Sequence, residues 1–152
     1  MIRPACLGDE TAIRECTISA YQRYVAVIGR KPAPMTADVT SQIMAGHVYV
    51  ATDDEDRPVG VIVFYPDNDN AMILENIAVA PEYEGKGIGK RLIATCESAA
   101  RKQGFSHVRL YTNEKMTQNL SIYPHLGYVE TGRRIEDGFN RVYFEKKLPH
   151  SV

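Results

Sequence analysis

Three glycines stand at alternate positions within residues 85–89, between an apolar run over residues 73–79 and an amphipathic stretch over residues 92–103. This order predicts a strand, a glycine loop and a helix. Glycine lets the backbone approach an anion closely, and the first amides of a helix have no partners within the helix. Three cations and no acid fall within residues 86–91. The segment therefore predicts a backbone cradle for a phosphate-bearing ligand.

The spacing of the loop separates it from two nucleotide-binding motifs. A P-loop needs four residues between its first glycine and a Gly-Lys pair, followed by Ser or Thr. Here three residues separate Gly85 from Gly89, and Arg91 stands in place of the hydroxyl. The dinucleotide pattern G-x-G-x-x-G also fails, because Lys90 or Leu92 occupies the position of its last glycine. A nucleotide-binding switch is therefore the weakest hypothesis.

A second motif, Asn-Leu-Ser-Ile-Tyr-Pro-His-Leu-Gly-Tyr, lies downstream at residues 119–128. Together with Ile-Ala-Val-Ala-Pro at residues 77–81 and the glycine loop, it resembles the GNAT N-acetyltransferases. Their cofactor signature is Gln or Arg, two residues, Gly, one residue, then Gly or Ala, and a later Asn precedes a Tyr by four residues. The resemblance covers nearly the whole chain. It implies an α/β GNAT acyl-CoA N-acyltransferase fold, whose mixed, mostly antiparallel sheet is flanked by helices on both faces.

The resemblance also implies the cofactor and the residues that bind it. Acetyl-CoA is the expected co-substrate, and no metal is expected. Its pantetheine arm should lie along strand 71–79 where that strand splays from strand 107–112, and the loop amides should hold its pyrophosphate. The residues expected to bind the cofactor are Ile77, Ala78, Val79, Glu84, Gly85, Lys86, Gly87, Ile88, Gly89, Lys90, Asn119 and Tyr123.

Acetyl transfer to an amine needs a group that takes the amine proton and a group that protonates the departing thiolate. Tyr123 resembles the family tyrosine that protonates the thiolate. Glu75 is a lone acid in an apolar strand, and its parity places it on the face of Ile77 and Val79. A buried carboxylate there would have a raised pKa suited to a general base. The alternative is that Glu75 faces water or pairs with a cation.

Two residues depart from the family pattern. Glu84 stands in the position of Gln or Arg, and a carboxylate beside a pyrophosphate is unfavourable unless its side chain turns away. We expect a modest loss of affinity, because the Glu84 amide still donates. Pro124 follows Tyr123 in a helix predicted over residues 115–123, so we expect a kink or an early helix end there.

Composition limits the other partners and the setting. A chain of 152 residues with a net charge of −1 fits one domain over residues 1–152, with no support for nucleic-acid or membrane affinity. Its three cysteines, an odd number without a C-x-x-C motif, argue against a disulfide framework or a zinc site. No signal peptide and no membrane-spanning run is visible, and a cytoplasmic location is expected.

Periodicity and turn residues predict the remaining elements. Asp9 is the expected N-cap of the first helix. A polar turn is expected at residues 66–70, and a long charged loop at residues 133–140. Residues 21–35 and 133–141 are the segments expected to contact the acceptor substrate. Helices are predicted over residues 10–27, 38–44 and 87–103, and strands over residues 1–5, 48–52, 59–65, 71–79, 107–112, 128–132 and 141–148.

Three functions remain open from the sequence. The first is acetylation of a small-molecule amine, and the second is acetylation of a protein N-terminus or lysine, which would need an open groove instead of a closed pocket. The third is a non-catalytic acyl-CoA-binding regulatory domain, which the departures at Glu84 and Pro124 keep open. The resemblance also allows a homodimer.

Overall fold

The computed structural model describes residues 1–67 and 70–149. The predicted turn at residues 66–70 therefore lies partly outside the described residues. In the described part, the strands are β1 (Ile2–Pro4), β2 (Val48–Thr52), β3 (Pro58–Pro66), β4 (Ala71–Val79), β5 (His107–Asn113), β6 (Val129–Glu136) and β7 (Phe139–Lys147). The helices are α1 (Glu10–Ile28), α2 (Val39–Met44), α3 (Ile88–Lys102) and α4 (Thr117–His125).

The strands form a mixed and mostly antiparallel sheet, which confirms the predicted α/β class. The pairs β1–β2, β2–β3, β5–β7 and β6–β7 are antiparallel. Strands β4 and β5 run parallel, and their ladder joins Ala71–Leu74 to His107–Leu110. The ladder therefore covers only the first four residues of β4.

The chain divides into two compact units, and β4 and α3 each contribute residues to both. The first unit consists of Met1–Phe64 and Asn76–Cys96. The second consists of Tyr65–Glu75 and the chain from Glu97 onward. The single domain expected over residues 1–152 stays a prediction.

In the first unit, α1 buries one apolar side. Its buried residues recur at helical spacing, and they are Ile13, Cys16, Thr17, Ala20 and Tyr21. Asp9 precedes α1 at the expected position, but its side chain does not cap the helix. Its carboxylate instead accepts the Cys6 N–H at 2.9 Å and the Arg3 guanidinium at 2.8 Å. Asp9 thus ties β1 to the start of α1.

In the second unit, buried and half-buried residues alternate along β5. Val108, Leu110 and Thr112 are buried, whereas Arg109 and Tyr111 are half-buried. On the neighbouring strand β7, Phe144 pairs with Leu110 of β5 and is buried on the same face of the sheet. This buried face is the core against which the site residues of α4 pack.

The long charged loop predicted at residues 133–140 was wrong, because this segment is mostly a β-hairpin. Glu136 pairs with Phe139, which leaves Asp137 and Gly138 as a two-residue turn. Their φ angles are 52° and 78°, as a type I′ turn requires, and Asp-Gly is a favoured pair for that turn. The strand predicted over residues 128–132 is the first half of β6, and the second half has mostly exposed side chains without the alternating apolar pattern that predicts strands.

Among the helices of the described residues, none has the length and apolar character needed to cross a membrane.

Candidate active site

The glycine loop is an open, exposed stretch of backbone. Gly85 and Gly87 have φ angles of 78° and 79°, in the left-handed region that favours glycine. A Cβ atom added at either position would have no other atom within 4 Å. The side of the backbone that a side chain would occupy is therefore free for an incoming ligand.

Helix α3 begins directly after this loop, one residue later than predicted. The Arg91 N–H donates to the Gly87 carbonyl at 3.1 Å. The amides of Ile88, Gly89 and Lys90 consequently belong to the first turn, where an α-helix has no carbonyl to offer them. Bare glycines followed by first-turn amides fit the charge and bulk of a diphosphate. We refer to residues 84–90 as the cradle.

A cation that sequence analysis missed is paired with the cradle. The Glu84 carboxylate accepts two hydrogen bonds from Arg23 of α1. The Nη2 atom of Arg23 donates to Oε1, and its Nη1 atom donates to Oε2 at 3.5 Å. Donation to the Glu84 carboxylate raises the pKa of Arg23. The two residues lie 61 positions apart, so no local pattern could have predicted the pair.

Helix α1 also holds the end of β4 that was expected to bind the pantetheine arm. The Tyr21 hydroxyl donates to the Asn76 Oδ1 atom at 2.8 Å and lies 3.2 Å from the Ile77 carbonyl oxygen. Tyr21 is buried, so its hydroxyl positions β4 instead of facing a substrate. This contact fixes the backbone around Ile77, Ala78 and Val79.

Glu75 lies on the predicted face of β4. Buried and half-buried residues alternate along the strand, and Glu75, Ile77 and Val79 all fall on the half-buried face. The carboxylate is thus more open to solvent than the enclosed one that the sequence suggested. Burial is the main cause of the raised pKa of Tyr65 and of Tyr111, and the negative charge of Glu75 adds to both shifts.

Helix α4 continues past Pro124 to His125, so the early helix end expected at Tyr123 was wrong. The Tyr128 N–H donates to the Tyr123 carbonyl at 3.0 Å, and the Gly127 N–H donates to the Pro124 carbonyl at 3.1 Å. With Gly127 at a φ of 94°, these bonds form a Schellman motif. Pro124 has no backbone N–H to donate within the helix. The Schellman motif nevertheless gives the carbonyls of Tyr123 and Pro124 in the last turn their hydrogen-bond donors.

Tyr123 is buried where α4 ends. Its side chain is 5% exposed, and its ring lies 5.8 Å from the Tyr128 ring and 5.7 Å from the Phe144 ring, centroid to centroid. Burial raises the pKa of Tyr123 above its usual range. The phenol therefore stays protonated at neutral pH.

Asn119 links α4 to β5. Its Nδ2 atom donates to the Thr112 hydroxyl at 3.0 Å. Thr112 is buried on the core face of β5, so this bond fixes the orientation of the helix. The role expected for Asn119 in binding the cofactor stays a prediction, and this bond shows that its side chain also joins α4 to β5.

The predicted site residues fall into two groups. The first unit holds the cradle, Ile77, Ala78 and Val79, whereas Glu75, Asn119 and Tyr123 belong to the second unit. No group of three or more His, Cys, Asp or Glu residues that could hold a metal ion occurs in residues 1–67 and 70–149.

Known proteins are similar to this chain over much of its length. Residues 44–130 match the family model described as an acetyltransferase (GNAT) domain. Human N-acetyltransferase 8B is 28% identical over 120 residues, which are 74% of this chain and 52% of that protein. The peptidyl-lysine N-acetyltransferase YjaB of Salmonella typhimurium is 28% identical over 63% of this chain and 59% of that protein. The chain spans about half the length of the curated relatives it matches.

Solved structures share the fold. The paia N-acetyltransferase of Thermoplasma acidophilum, solved in complex with coenzyme A, has a TM-score of 0.79 and 21% identity. The match covers 97% of this chain and 98% of that one. A GNAT-family acetyltransferase of Staphylococcus aureus has a TM-score of 0.80 at 17% identity, over 98% of this chain and 99% of that one. These likenesses confirm the predicted fold.

Proposed function

Because the chain belongs to the GNAT acetyltransferase family, we propose that it transfers the acetyl group of acetyl-CoA to a primary amine. The observation that carries this proposal is the cradle, in which Gly85 and Gly87 are left-handed and open on the side of their absent side chains. Such a backbone suits a diphosphate, and coenzyme A contains one. When bound, acetyl-CoA supplies an acetyl group activated as a thioester.

The backbone of β4 is the second part of the proposed cofactor site. The parallel ladder with β5 covers only Ala71–Leu74 of this strand. The main-chain groups of Ile77 and Val79 would bond the pantetheine amides, as the resemblance implies. A main-chain N–H in this stretch would also stabilise charge on the thioester oxygen, an effect typically worth about 3 kcal/mol. The Tyr21 contact to Asn76 and Ile77 keeps this backbone in place.

Glu75 is the proposed general base. An alkyl amine is mostly protonated at neutral pH and must lose a proton before it can attack a carbonyl carbon. A half-buried carboxylate attracts the cationic amine and can accept its proton, directly or through a water molecule. Tyr65 and Tyr111 are close enough to Glu75 to sense its charge, and their rings add apolar surface for an acceptor.

Tyr123 is the proposed general acid. Its hydroxyl holds a proton at neutral pH, and the Schellman motif fixes the position of the residue. Burial penalises the phenolate, but the same apolar surroundings penalise a thiolate. Proton transfer from Tyr123 to a thiolate would therefore be less unfavourable than the phenol pKa alone suggests.

We propose a small-molecule amine as the acceptor, supported by the half-buried polar cluster of Glu75, Tyr65 and Tyr111. The second candidate is a lysine in a peptide. It is favoured by the Salmonella relative, which is named as a peptidyl-lysine N-acetyltransferase. Release of free thiol from acetyl-CoA, measured with matched panels of small amines and lysine peptides, distinguishes the two acceptors.

The cofactor is tested by thermal melting with acetyl-CoA, CoA, ATP and NAD in parallel. Ligand at 100 times its dissociation constant stabilises by ~2.7 kcal/mol, which raises the Tm of a chain of this size by roughly 5–10 °C. We expect this shift with acetyl-CoA and CoA alone. A well-folded sample that shifts with neither, or equally with ATP and NAD, would rule out the proposed cofactor. A shift without turnover on any amine would favour a non-catalytic acyl-CoA-binding domain.

A further inference from the structure

Glu84 places a carboxylate at the edge of a cradle that suits an anion. It directly precedes Gly85, and its side chain is 40% exposed. A bare carboxylate there would repel a diphosphate, and the family pattern has Gln or Arg in this position. Something in the chain must therefore offset this charge if the cradle is to bind an anion tightly.

Arg23 supplies a positive charge at this edge. Two of its nitrogens contact the two carboxylate oxygens of Glu84, so the guanidinium is held in a fork arrangement. The Arg23 side chain is 44% exposed, which leaves the guanidinium accessible to a ligand. A guanidinium has five N–H donors, and these two contacts do not use them all.

The aromatic neighbour of Arg23 restricts it further. The guanidinium carbon of Arg23 lies 5.4 Å from the centroid of the Tyr24 ring, within the range of a cation–π contact. Lys86 of the cradle is held in the same manner, with its Nζ atom 5.0 Å from the centroid of the Tyr83 ring. Both cations are therefore oriented before a ligand arrives, which lowers the entropic cost of binding.

We propose that Arg23 is a cofactor-binding residue, in which a guanidinium from α1, held by Glu84, contacts the pyrophosphate of CoA. The Arg23–Glu84 pair then replaces the single Gln or Arg of the family pattern. This inference rests on the proposed function, because it requires CoA to occupy the cradle. It also explains how the carboxylate of Glu84 is accommodated there, since its charge is matched by a cation that the ligand can share.

The test is a double-mutant cycle on the dissociation constant of CoA, measured by isothermal titration calorimetry with the full chain. We expect Arg23→Gln to weaken CoA binding by about 30-fold or more, because it removes a charge-assisted contact and leaves the Glu84 carboxylate bare. Glu84→Gln should change affinity by less than about fivefold. The double variant should bind more tightly than Arg23→Gln, because it has no bare carboxylate.

Arg14→Gln is the matched control. Arg14 lies on the same helix and pairs with Glu10 at 3.1 Å, and these side chains are 41% and 34% exposed. This variant should bind CoA like the wild type. Equal affinities for Arg23→Gln and Arg14→Gln would overturn the inference, and so would a double variant no tighter than Arg23→Gln. A wild-type chain that binds no CoA would instead contradict the proposed function.

Dephospho-CoA identifies which phosphate Arg23 contacts, because it keeps the pyrophosphate and lacks the 3′-phosphate. The ratio of the wild-type and Arg23→Gln affinities should be the same for CoA and dephospho-CoA. If the effect of Arg23→Gln disappears with dephospho-CoA, Arg23 contacts the 3′-phosphate and the assignment to the pyrophosphate is wrong. Circular dichroism of each variant checks that it is folded.

Discussion

Residues 84–87 of the cradle are exposed, whereas Tyr123 at the end of α4 is only 5% exposed. The cradle offers amides in the first turn of α3 and accommodates the charge of Glu84 through the ion pair with Arg23. Tyr123 is kept neutral by burial among aromatic rings. The proposed anion site therefore uses backbone partial charges at the surface, whereas burial favours the neutral phenol of Tyr123.

This difference indicates how the two regions respond to substitution. A side chain at Gly85 or Gly87 would meet no other atom of the protein within 4 Å, so its cost in stability comes from the left-handed φ angle alone, whereas it would occupy the space proposed for the ligand. A change at Tyr123 alters both the proposed proton donor and the core of its unit. A substitution in the cradle should therefore lower the affinity for CoA by more than its effect on stability explains. A substitution at Tyr123 should lower kcat without a comparable loss of stability only when the ring is retained.

The largest effect is expected for Tyr123→Phe, which retains the ring and removes the hydroxyl. Loss of a general acid lowers kcat by about 10²- to 10⁴-fold, while KM for acetyl-CoA should change little. Because burial raises the pKa of Tyr123, its deprotonation should not lower kcat of the wild type below about pH 10. Steady-state kinetics from pH 6 to 10 measure both expectations.

Tyr128→Phe is the control for this prediction. The Tyr128 ring packs against Tyr123, but its hydroxyl donates to Glu97 at 2.9 Å. Its removal should lower the free energy of unfolding by about 1–2 kcal/mol and leave kcat within about twofold. If the two variants lower kcat equally, Tyr123 acts through packing and not as an acid.

A methyl group in the cradle should weaken cofactor binding, in addition to the loss of stability of about 1–2 kcal/mol that a left-handed φ angle imposes on an L-residue. Gly87→Ala places a Cβ atom on the open side of the loop, where it would block one or two charge-assisted hydrogen bonds. The expected loss of CoA affinity is roughly 10- to 100-fold. Gly46→Ala is the matched control, because Gly46 has a φ of 77°, no atom within 4 Å of an added Cβ, and no place in the proposed site. Equal CoA affinities for the two variants would contradict the proposed cradle.

Features set by neighbouring residues could be predicted from the sequence. The bounds of β2 and β4 match the prediction, and α3 begins within one residue of it. Local chemistry explains this agreement, because apolar runs bounded by turn residues and left-handed glycines leave few alternatives. The cap at Gly127 was not predicted, although the motif at residues 119–128 contains this glycine and the structure places it in the Schellman motif at the end of α4.

Features set by distant contacts could not be predicted. Nothing near Glu84 in the sequence indicates Arg23, and nothing near Asn76 indicates Tyr21. The β6–β7 hairpin was predicted only in part. Strands were expected over residues 128–132 and 141–148, but mostly exposed residues hide the second half of β6, and only the Asp-Gly pair marks its turn. Tyr123 could be located by its motif, but its burial depends on Tyr128 and Phe144.

Charge pairing in the first unit also predicts a loss of stability at low pH. The hydrogen bond from Arg3 is the main cause that lowers the pKa of Asp9 from 3.8 to about 2. Because the folded-state pKa is below the unfolded one, the stabilisation is complete above about pH 4 and is lost as the pH falls towards 2. The shift corresponds to about 2 kcal/mol. Urea unfolding of wild type and Asp9→Asn from pH 7 to pH 2 measures it.

Asp56→Asn tests whether the burial of Asp9 determines how much its ion pair with Arg3 stabilises the protein. Asp56 contacts the same guanidinium at 3.0 Å, but its side chain is 68% exposed. An exposed ion pair contributes little, so this variant should lose less than about 1 kcal/mol at pH 7. If Asp9→Asn costs no more than Asp56→Asn, or if the two retain the same dependence on pH, the stabilisation does not come from the buried carboxylate.

The smallest effect is expected at the Schellman motif that positions Tyr123. Gly127→Ala forces an L-residue to a φ of 94° and places a Cβ atom 3.3 Å from the Cε atom of Lys146. The left-handed conformation costs about 1–2 kcal/mol, and Lys146 can move aside only by disturbing its 2.9 Å contact with Glu97. Gly132→Ala on β6 is the control, since an added Cβ there has no atom within 4 Å and its backbone does not require glycine. Thermal melting should show a Tm lower by roughly 2–8 °C for Gly127→Ala and an unchanged Tm for the control.

A Gly127→Ala variant as stable as the control would mean that the end of α4 adapts to a side chain. In that case the motif would not fix Tyr123, and its position would depend on ring packing alone.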